Sequence, residues 1–199
     1  MKLFTLKLKY FAAFSLMSII TLCACSAGDM LKTYNMKNCE YSYKSATNVT
    51  ISNINVSNGI SIADAPKILL LLNSQNQSIP LSFLLTLDVK NPNSSEAAFH
   101  GMEYKVNIDG IDFTEGSIDE PFSVASGETK PLPIKIGTDV TQLIEKNSKD
   151  AVMNTVKNFI GLSNEKTKVR VDLRPKFLVA GKTVSSPTTF PVDFSFGGK

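Results

Sequence analysis

Between Leu81 and Val89, Leu81, Phe83, Leu85, Leu87 and Val89 fall on one side of the chain and Ser82, Thr86 and Asp88 on the other, with only Leu84 out of step. A period of two marks a strand with one wet face and one buried face, because successive side chains point to opposite faces. The pattern recurs. Met102, Tyr104, Val106 and Ile108 alternate with Glu103, Lys105, Asn107 and Asp109, and Val169, Val171 and Leu173 alternate with Lys168, Arg170, Asp172 and Arg174 before Phe177 and Val179. Asp109-Gly110 stands between the alternating runs 102–108 and 111–113, which predicts a two-residue hairpin turn with positive φ at both central positions. The remaining strand signals are weaker. Val49 and Ile51 alternate, then Ile54 and Val56 in the opposite register, which suggests a bulge near Ser52-Asn53, and Asn58-Gly59 marks a turn. A strand over 129–136 carries Pro131 and Pro133, which confine it to an edge or to positions whose N–H would face away from a partner. Phe190, Val192, Phe194 and Phe196 close the series.

Helical spacing is confined to 139–161. Val140, Leu143 and Ile144 share one face, Val152, Val156, Phe159 and Ile160 repeat the stripe, and Gly161 supplies a stop. Residues 67–72 (KILLLL) fit either a strand buried on both faces or a helix start. Roughly seven to nine strands with one helical insertion describe a mainly β fold, an antiparallel β-sandwich, with a half-open barrel as the competing architecture. A doubly wound α/β fold is excluded, since it needs a helix after most strands.

The N-terminus reads differently. Lys2, Lys7 and Lys9 precede an apolar stretch from Tyr10 to Cys25 broken only by Ser and Thr, the layout of a secretory signal rather than of a span of ~20 apolar residues. Its end, Leu22-Cys23-Ala24-Cys25, resembles the lipobox of bacterial lipoproteins. That resemblance implies cleavage before Cys25, a thioether diacylglycerol on its sulfur and acylation of the new amine. It also implies, through Ser26, sorting to the outer membrane. Several acyl chains make a firm anchor, at ~0.8 kcal/mol per buried CH₂. The expected organisation is a signal peptide over 1–24, a lipid-anchored tether over 25–46, and a β domain over 47–199. Tyr34, Tyr41 and Tyr43 are placed to dock the later part of the tether.

Charge follows from this division. The whole chain carries 21 Lys and Arg against 18 Asp and Glu. The excess is the three leader lysines, so the chain from Cys25 onward is formally neutral and nucleic acid is not expected as a partner. Of three cysteines, Cys23 leaves with the leader and Cys25 carries lipid, which leaves Cys39 buried, reactive or paired between chains.

With the strands placed, Leu85–Ile136 resembles the type 2 late embryogenesis abundant domain, the water-stress and hypersensitive-response domain. The carriers are Val89-Lys90-Asn91-Pro92-Asn93, Tyr104 to Ile108 with Asp109-Gly110, the Gly116 region, and Val124 to Thr129 before Leu132-Pro133-Ile134. The resemblance covers about 150 residues, from roughly Thr47 to Phe196, if the whole domain is present. It implies a sandwich related to fibronectin type III and immunoglobulin domains, a stress-related role and no catalytic residues.

Chemistry in the residues themselves is sparse. His100 is the sole histidine, with Ser94, Ser95 and Glu96 nearby, and reads as a solvated loop residue rather than a catalytic base or ligand. Asp109, Asp112, Glu115, Asp119 and Glu120 cluster without the spacing of a calcium loop, and read as a solvated hairpin face. Lys166, Lys168, Arg170, Arg174 and Lys176 form a positive stripe that could meet anionic lipid, or that protects an edge strand. No catalytic residue, cofactor or metal is expected. The site residues are Cys25 for lipidation, and Asn91, Pro92, Asn93, Asp109 and Gly110 as structural motifs. The functional expectation is a non-enzymatic binding or scaffolding module of the cell envelope, meeting the membrane through Cys25 and an unidentified envelope protein. The alternative is a carrier of a small hydrophobic ligand between two sheets.

Overall fold

A computed structural model describes residues 28, 30–57, 59–74, 77–179 and 181–197; the expected signal peptide and Cys25 lie outside the described residues. Residues 30–37 form helix α1. Eleven strands follow, interrupted by three further helices: β1 Glu40–Ile51, β2 Ile54–Asn55, α2 Ala65–Asn73, β3 Pro80–Lys90, β4 Ala97–Phe99, β5 Gly101–Ile108, β6 Ile111–Ile118, β7 Phe122–Val124, β8 Thr129–Asp139, α3 Val140–Lys146, α4 Lys149–Phe159, β9 Lys166–Val179, β10 Lys182–Ser185 and β11 Phe190–Gly197.

Every strand pairing is antiparallel. One sheet runs β2-β1-β3-β8 and the other β10-β9-β5-β6, with β11 also on β9 and β4-β7 as a separate ribbon. The long β9 gives one edge to β5 and the other to two successive partners, β11 along Lys166–Leu173 and β10 along Lys176–Val179. The whole is mainly β, with a curled half-barrel sheet and a few helices. Leu81, Leu85 and Leu87 of β3 meet Val106 and Ile108 of β5, Ile134 of β8, and Val171 and Leu173 of β9 in one continuous core. Phe159 of α4 closes one end of it, 4.4 Å from Phe83 and 6.3 Å from Phe113 between ring centroids.

The sheets meet along two seams. At one, Tyr41 and Tyr43 of β1 lie against Phe190 and Phe194 of β11, with centroids 5.2 and 5.0 Å apart. At the other, the Tyr104 hydroxyl donates to the Lys135 carbonyl at 2.7 Å and Thr114 Oγ1 donates to the Gly137 carbonyl at 2.8 Å. Both carbonyls belong to β8, the last strand of its sheet, and β8 carries Pro131 and Pro133. Tyr104 reaches across because its partner in the ladder is Gly116. A Cβ there would sit 2.5 Å from the Tyr104 hydroxyl oxygen and 2.7 Å from the ring carbon that bears it.

Several expectations need correction. Residues 30–46, expected as tether, hold α1 and the first half of β1; Tyr41 and Tyr43 dock, whereas Tyr34 is 59% exposed. Ser52-Asn53 is not a bulge but the two-residue turn of the β1-β2 hairpin, with φ of 45° and 68°. The irregularities fall earlier, where the β1-β3 register shifts between Tyr43 and Ser45 and again between Thr47 and Thr50, with Asn48 at a φ of 53°. Residues 67–72 are helical, opened by Pro66 in the first turn, with Ile68 and Leu72 buried. The single helical insertion divides into α3 and α4 at Asn147 and Ser148, both in extended backbone. The chain therefore carries four helices among the described residues.

Asp139 caps α3. Its Oδ1 accepts from Thr141 N at 2.8 Å and Ile79 N at 3.2 Å, and Ser78 Oγ donates to Oδ2. Burial opposes ionisation of this carboxyl, but the hydrogen bonds from Ser78, Ile79 and Thr141 outweigh it and hold the group below the usual carboxylate range. A depressed folded pKa contributes stability above the unfolded value and loses it as pH falls through the folded one.

Gly116→Ala and Tyr104→Phe each destabilise the domain in urea titrations, Tyr104→Phe by about 1 kcal/mol for the lost hydrogen bond. The double variant costs less than the sum, because both act on one contact; strict additivity would disprove the bracing role. Asp139→Ala costs about 1 kcal/mol at neutral pH through the lost cap. It also shallows the loss of stability below about pH 4, the region where an unshifted Asp titrates, which thermal melts across pH would register.

Candidate functional site

The richest polar constellation surrounds Asn91, immediately after β3. Asn91 has no exposed surface, and its amide is fully used. Nδ2 donates to the carbonyls of Ser95 and Val124, each at 2.9 Å. Oδ1 accepts from Asn93 N at 3.0 Å and from Asn93 Nδ2 at 2.7 Å. Two donors and two acceptor positions are the whole capacity of such an amide. Its backbone is committed too: Asn91 N donates to Glu128 O, and Gly127 N donates to Asn91 O. Pro92 between the two asparagines has no N–H to satisfy and holds the turn at a fixed φ.

Asn93 extends the network. Its Nδ2 also donates to the Asn35 carbonyl of α1 at 3.0 Å, and its own carbonyl accepts from Ser126 Oγ at 2.7 Å. From α1, Asn35 Nδ2 donates to Ser95 Oγ and to the Glu96 carbonyl, and Thr33 Oγ1 donates to the Ala98 carbonyl. Lys32 pairs with Glu96 at 2.7 Å. Asn91-Pro92-Asn93 is thus a clasp between β3, the turn before β8, the segment leading to β4, and α1. Cys39 lies beside it, buried, with Sγ donating to the Asn35 carbonyl at 3.4 Å; burial pushes the thiol up to about 11. A thiol that stays protonated at neutral pH is a poor nucleophile.

Asp109 and Gly110 turn the β5-β6 hairpin with φ of 51° and 86°, as a type I′ turn requires. Asp109 Oδ1 accepts from Lys168 N at 2.8 Å and Asp109 N donates to Lys168 O at 2.9 Å, which ties the hairpin tip to β9. The rest of the acidic cluster is spread out. Asp112 pairs with Lys105 at 2.6 Å, and Asp119 with Lys176 at 3.3 Å. Lys105 and Asn107 hydrogen-bond the Asp112 carboxyl and hold it below the usual range. Among the described residues no group of three or more His, Cys, Asp or Glu is placed to hold a metal.

The basic stripe does not protect an edge, because β9 is paired on both sides. It is partly neutralised instead: Arg170 pairs with Asp172, Arg174 with Glu103, and Lys176 with Asp119 and Glu103. His100 links β4 to β5, its backbone N–H donating to Lys176 O, and it lines a shallow groove of about 220 Å³ with Lys32, Glu96 and Phe122. A surface groove of about 810 Å³ lies between α4, the Asp109-Gly110 turn and residues of β9 and β11. Its charged lining mixes Lys166, Lys168 and Arg170 with Asp109, Glu165 and Asp193 and selects neither sign.

What fold and site define is an antiparallel β domain whose most elaborate polar network is spent on its own architecture. A sequence profile for the family described as late embryogenesis abundant protein matches residues 86–189, just over half of the chain, and the chain belongs to that family. Among curated proteins no match is found. Among solved structures, a protein from Archaeoglobus fulgidus superposes with a TM-score of 0.37 at 14% identity, over 79% of this chain and 98% of that one. A protein from Arabidopsis thaliana gives 0.38 at 13% identity over 62% and 74% of the two chains. A solution structure described as a late embryogenesis abundant protein gives 0.37 at 14% over 94% and 87%.

Asn91→Ala strands the Ser95 and Val124 carbonyls and the Asn93 amide at once. The expected cost exceeds about 2 kcal/mol in chemical denaturation. It comes with faster amide hydrogen exchange in residues 30–37 as α1 loses its clasp. Unchanged exchange there would separate α1 from the network.

Proposed function

We propose that this protein is a lipid-anchored, non-enzymatic module of the bacterial cell envelope, acylated at Cys25 and binding or scaffolding an envelope protein. The observation that carries the reading is the Leu22-Cys23-Ala24-Cys25 ending of a basic, apolar leader ahead of a folded β domain. Membership of the late embryogenesis abundant family supports a stress-related role without turnover, on a domain akin to fibronectin type III and immunoglobulin sandwiches. The saturated hydrogen bonding of Asn91 and the protonated, buried Cys39 support the same side, since neither has capacity left for chemistry. The continuous cluster of buried apolar side chains between the sheets favours scaffolding over a ligand carried there. Outer-membrane placement is part of the proposal, on the strength of Ser26 after the acylated residue.

Intact-mass spectrometry of the detergent-extracted protein tests the anchor. The expected product begins at Cys25 and carries diacylglycerol and an N-acyl chain, and Cys25→Ser yields an uncleaved or soluble protein. An unmodified N-terminus at another residue would overturn it. The non-enzymatic part fails if purified protein turns over a substrate and His100→Ala abolishes that turnover.

A further inference from the structure

Helix α1 leaves an apolar face in water. Its inward side chains are Met36, fully buried in the core, with Thr33 and Asn35, each 6% exposed, whereas Met30, Leu31 and Tyr34 are 53%, 55% and 59% exposed. These three fall within one arc of a helical wheel at 100° per residue, and the exposed Lys37 joins the same face one turn on. Beside them runs a shallow groove of about 220 Å³, walled by Met30, Tyr34, Pro175, Phe177, Pro187 and Phe190, in which Lys37 is the charged residue among the described lining. The hydrogen bonds of Thr33 and Asn35 to Ala98, Ser95 and Glu96 prevent the helix from rolling to hide this face.

The position of the helix says what covers it. Met30 stands five residues after Cys25, so even a fully extended chain keeps it within about 18 Å of the Cys25 backbone. A tyrosine, apolar side chains and a lysine on one face suit the headgroup boundary, where an aromatic ring stays half wet and a cation meets anionic lipid. Two helical turns bind lipid weakly by themselves, but a tether this short raises the local concentration of the surface and makes the contact intramolecular. We infer that the Met30-Leu31-Tyr34 face of α1 rests in the headgroup region of the bilayer that holds the anchor, setting the orientation of the domain on the membrane. The inference rests on the acylation of Cys25 proposed above. It places α2 far from the lipid, since β3, eleven residues long, separates the two ends by about 35 Å.

The chain contains no tryptophan, so one introduced indole reports its own surroundings. Full-length Leu31→Trp and Leu70→Trp proteins, the second marking an α2 position 73% exposed, are extracted and reconstituted into phosphatidylethanolamine–phosphatidylglycerol vesicles with brominated acyl chains. Intact mass is read on the same samples. With Cys25 acylated, L31W is expected to emit to the blue of L70W and to lose most of its emission to the brominated lipid, while L70W keeps its own. Acylated protein in which L31W is quenched no more than L70W overturns the inference and leaves the anchor standing. Unmodified Cys25 with L31W still quenched overturns the anchor and supports lipid contact by α1; unmodified Cys25 without quenching overturns both. An L31W signal that follows protein concentration but ignores brominated lipid would assign the face to a second copy and overturn the membrane contact.

Discussion

A primary amide taken wholly out of water brings two N–H groups and two acceptor positions that must all find protein partners. Asn91 finds them in three places: the Ser95 carbonyl before β4, the Val124 carbonyl at the end of β7, and both N–H sources on Asn93. Its backbone adds Gly127 and Glu128, the turn that starts β8. Because the partners come from the β3-β4 connection, the end of β7 and the turn before β8, displacing any one of these leaves a buried polar atom unpaired. Asn93 passes the constraint to α1 through the Asn35 carbonyl. The core supplies the bulk of the driving force, but it is non-directional. The registration of this end of the domain depends on one side chain.

The two seams between the sheets are built from different physics. Tyr41 and Tyr43 against Phe190 and Phe194 bury large ring area and tolerate small shifts. Tyr104 and Thr114 give two directional bonds to β8, the edge strand, and fix how far along it the second sheet sits. Burial raises the Tyr104 phenol, so the hydroxyl remains a donor across the neutral range. The same bonds occupy carbonyls of a strand with no further ladder partner, which would otherwise invite pairing with another chain. Pro131 and Pro133 remove donors from that strand as well.

The strands were legible wherever one face is wet and the other buried, as in 81–89, 102–108 and 168–173, because burial then writes a period of two into the residues. The Asp109-Gly110 turn was legible for a local reason: both residues tolerate positive φ. Ser52-Asn53 makes the same kind of turn, but Ser rarely signals positive φ, and the change of register around it imitates a bulge. α2 was ambiguous because Leu69 and Leu70 are apolar yet exposed, which erases the stripe that Ile68 and Leu72 would otherwise show. The Asn91 clasp could be named as a motif but not explained, since Val124 and Glu128 lie more than thirty positions away. What ends at Asn91 is visible in a sequence; what arrives there is not.

Helix α1 was hidden for the opposite reason, and the reason bears on what the domain is built to do. A helix is recognised by an apolar stripe turned inward, and α1 turns Thr33 and Asn35 inward beside a single apolar residue, Met36. Rolling it half a turn would bury Met30, Leu31 and Tyr34 but expose Met36, break the bonds to Ser95, Glu96 and Ala98 and strand the Asn35 amide. Directional bonds and the buried Met36 side chain therefore hold the helix in an orientation that leaves three large apolar side chains in water. A segment that served only as a slack tether would gain nothing from such a clasp, because slack needs no fixed azimuth. A segment that must present one face to an apolar neighbour gains both the exposed face and the rigidity, and Asn91 transmits that rigidity to β3 and to the turn before β8. If Cys25 carries lipid, the network that ends β3 is also what would convert an anchored chain into a domain with a defined stance on its membrane.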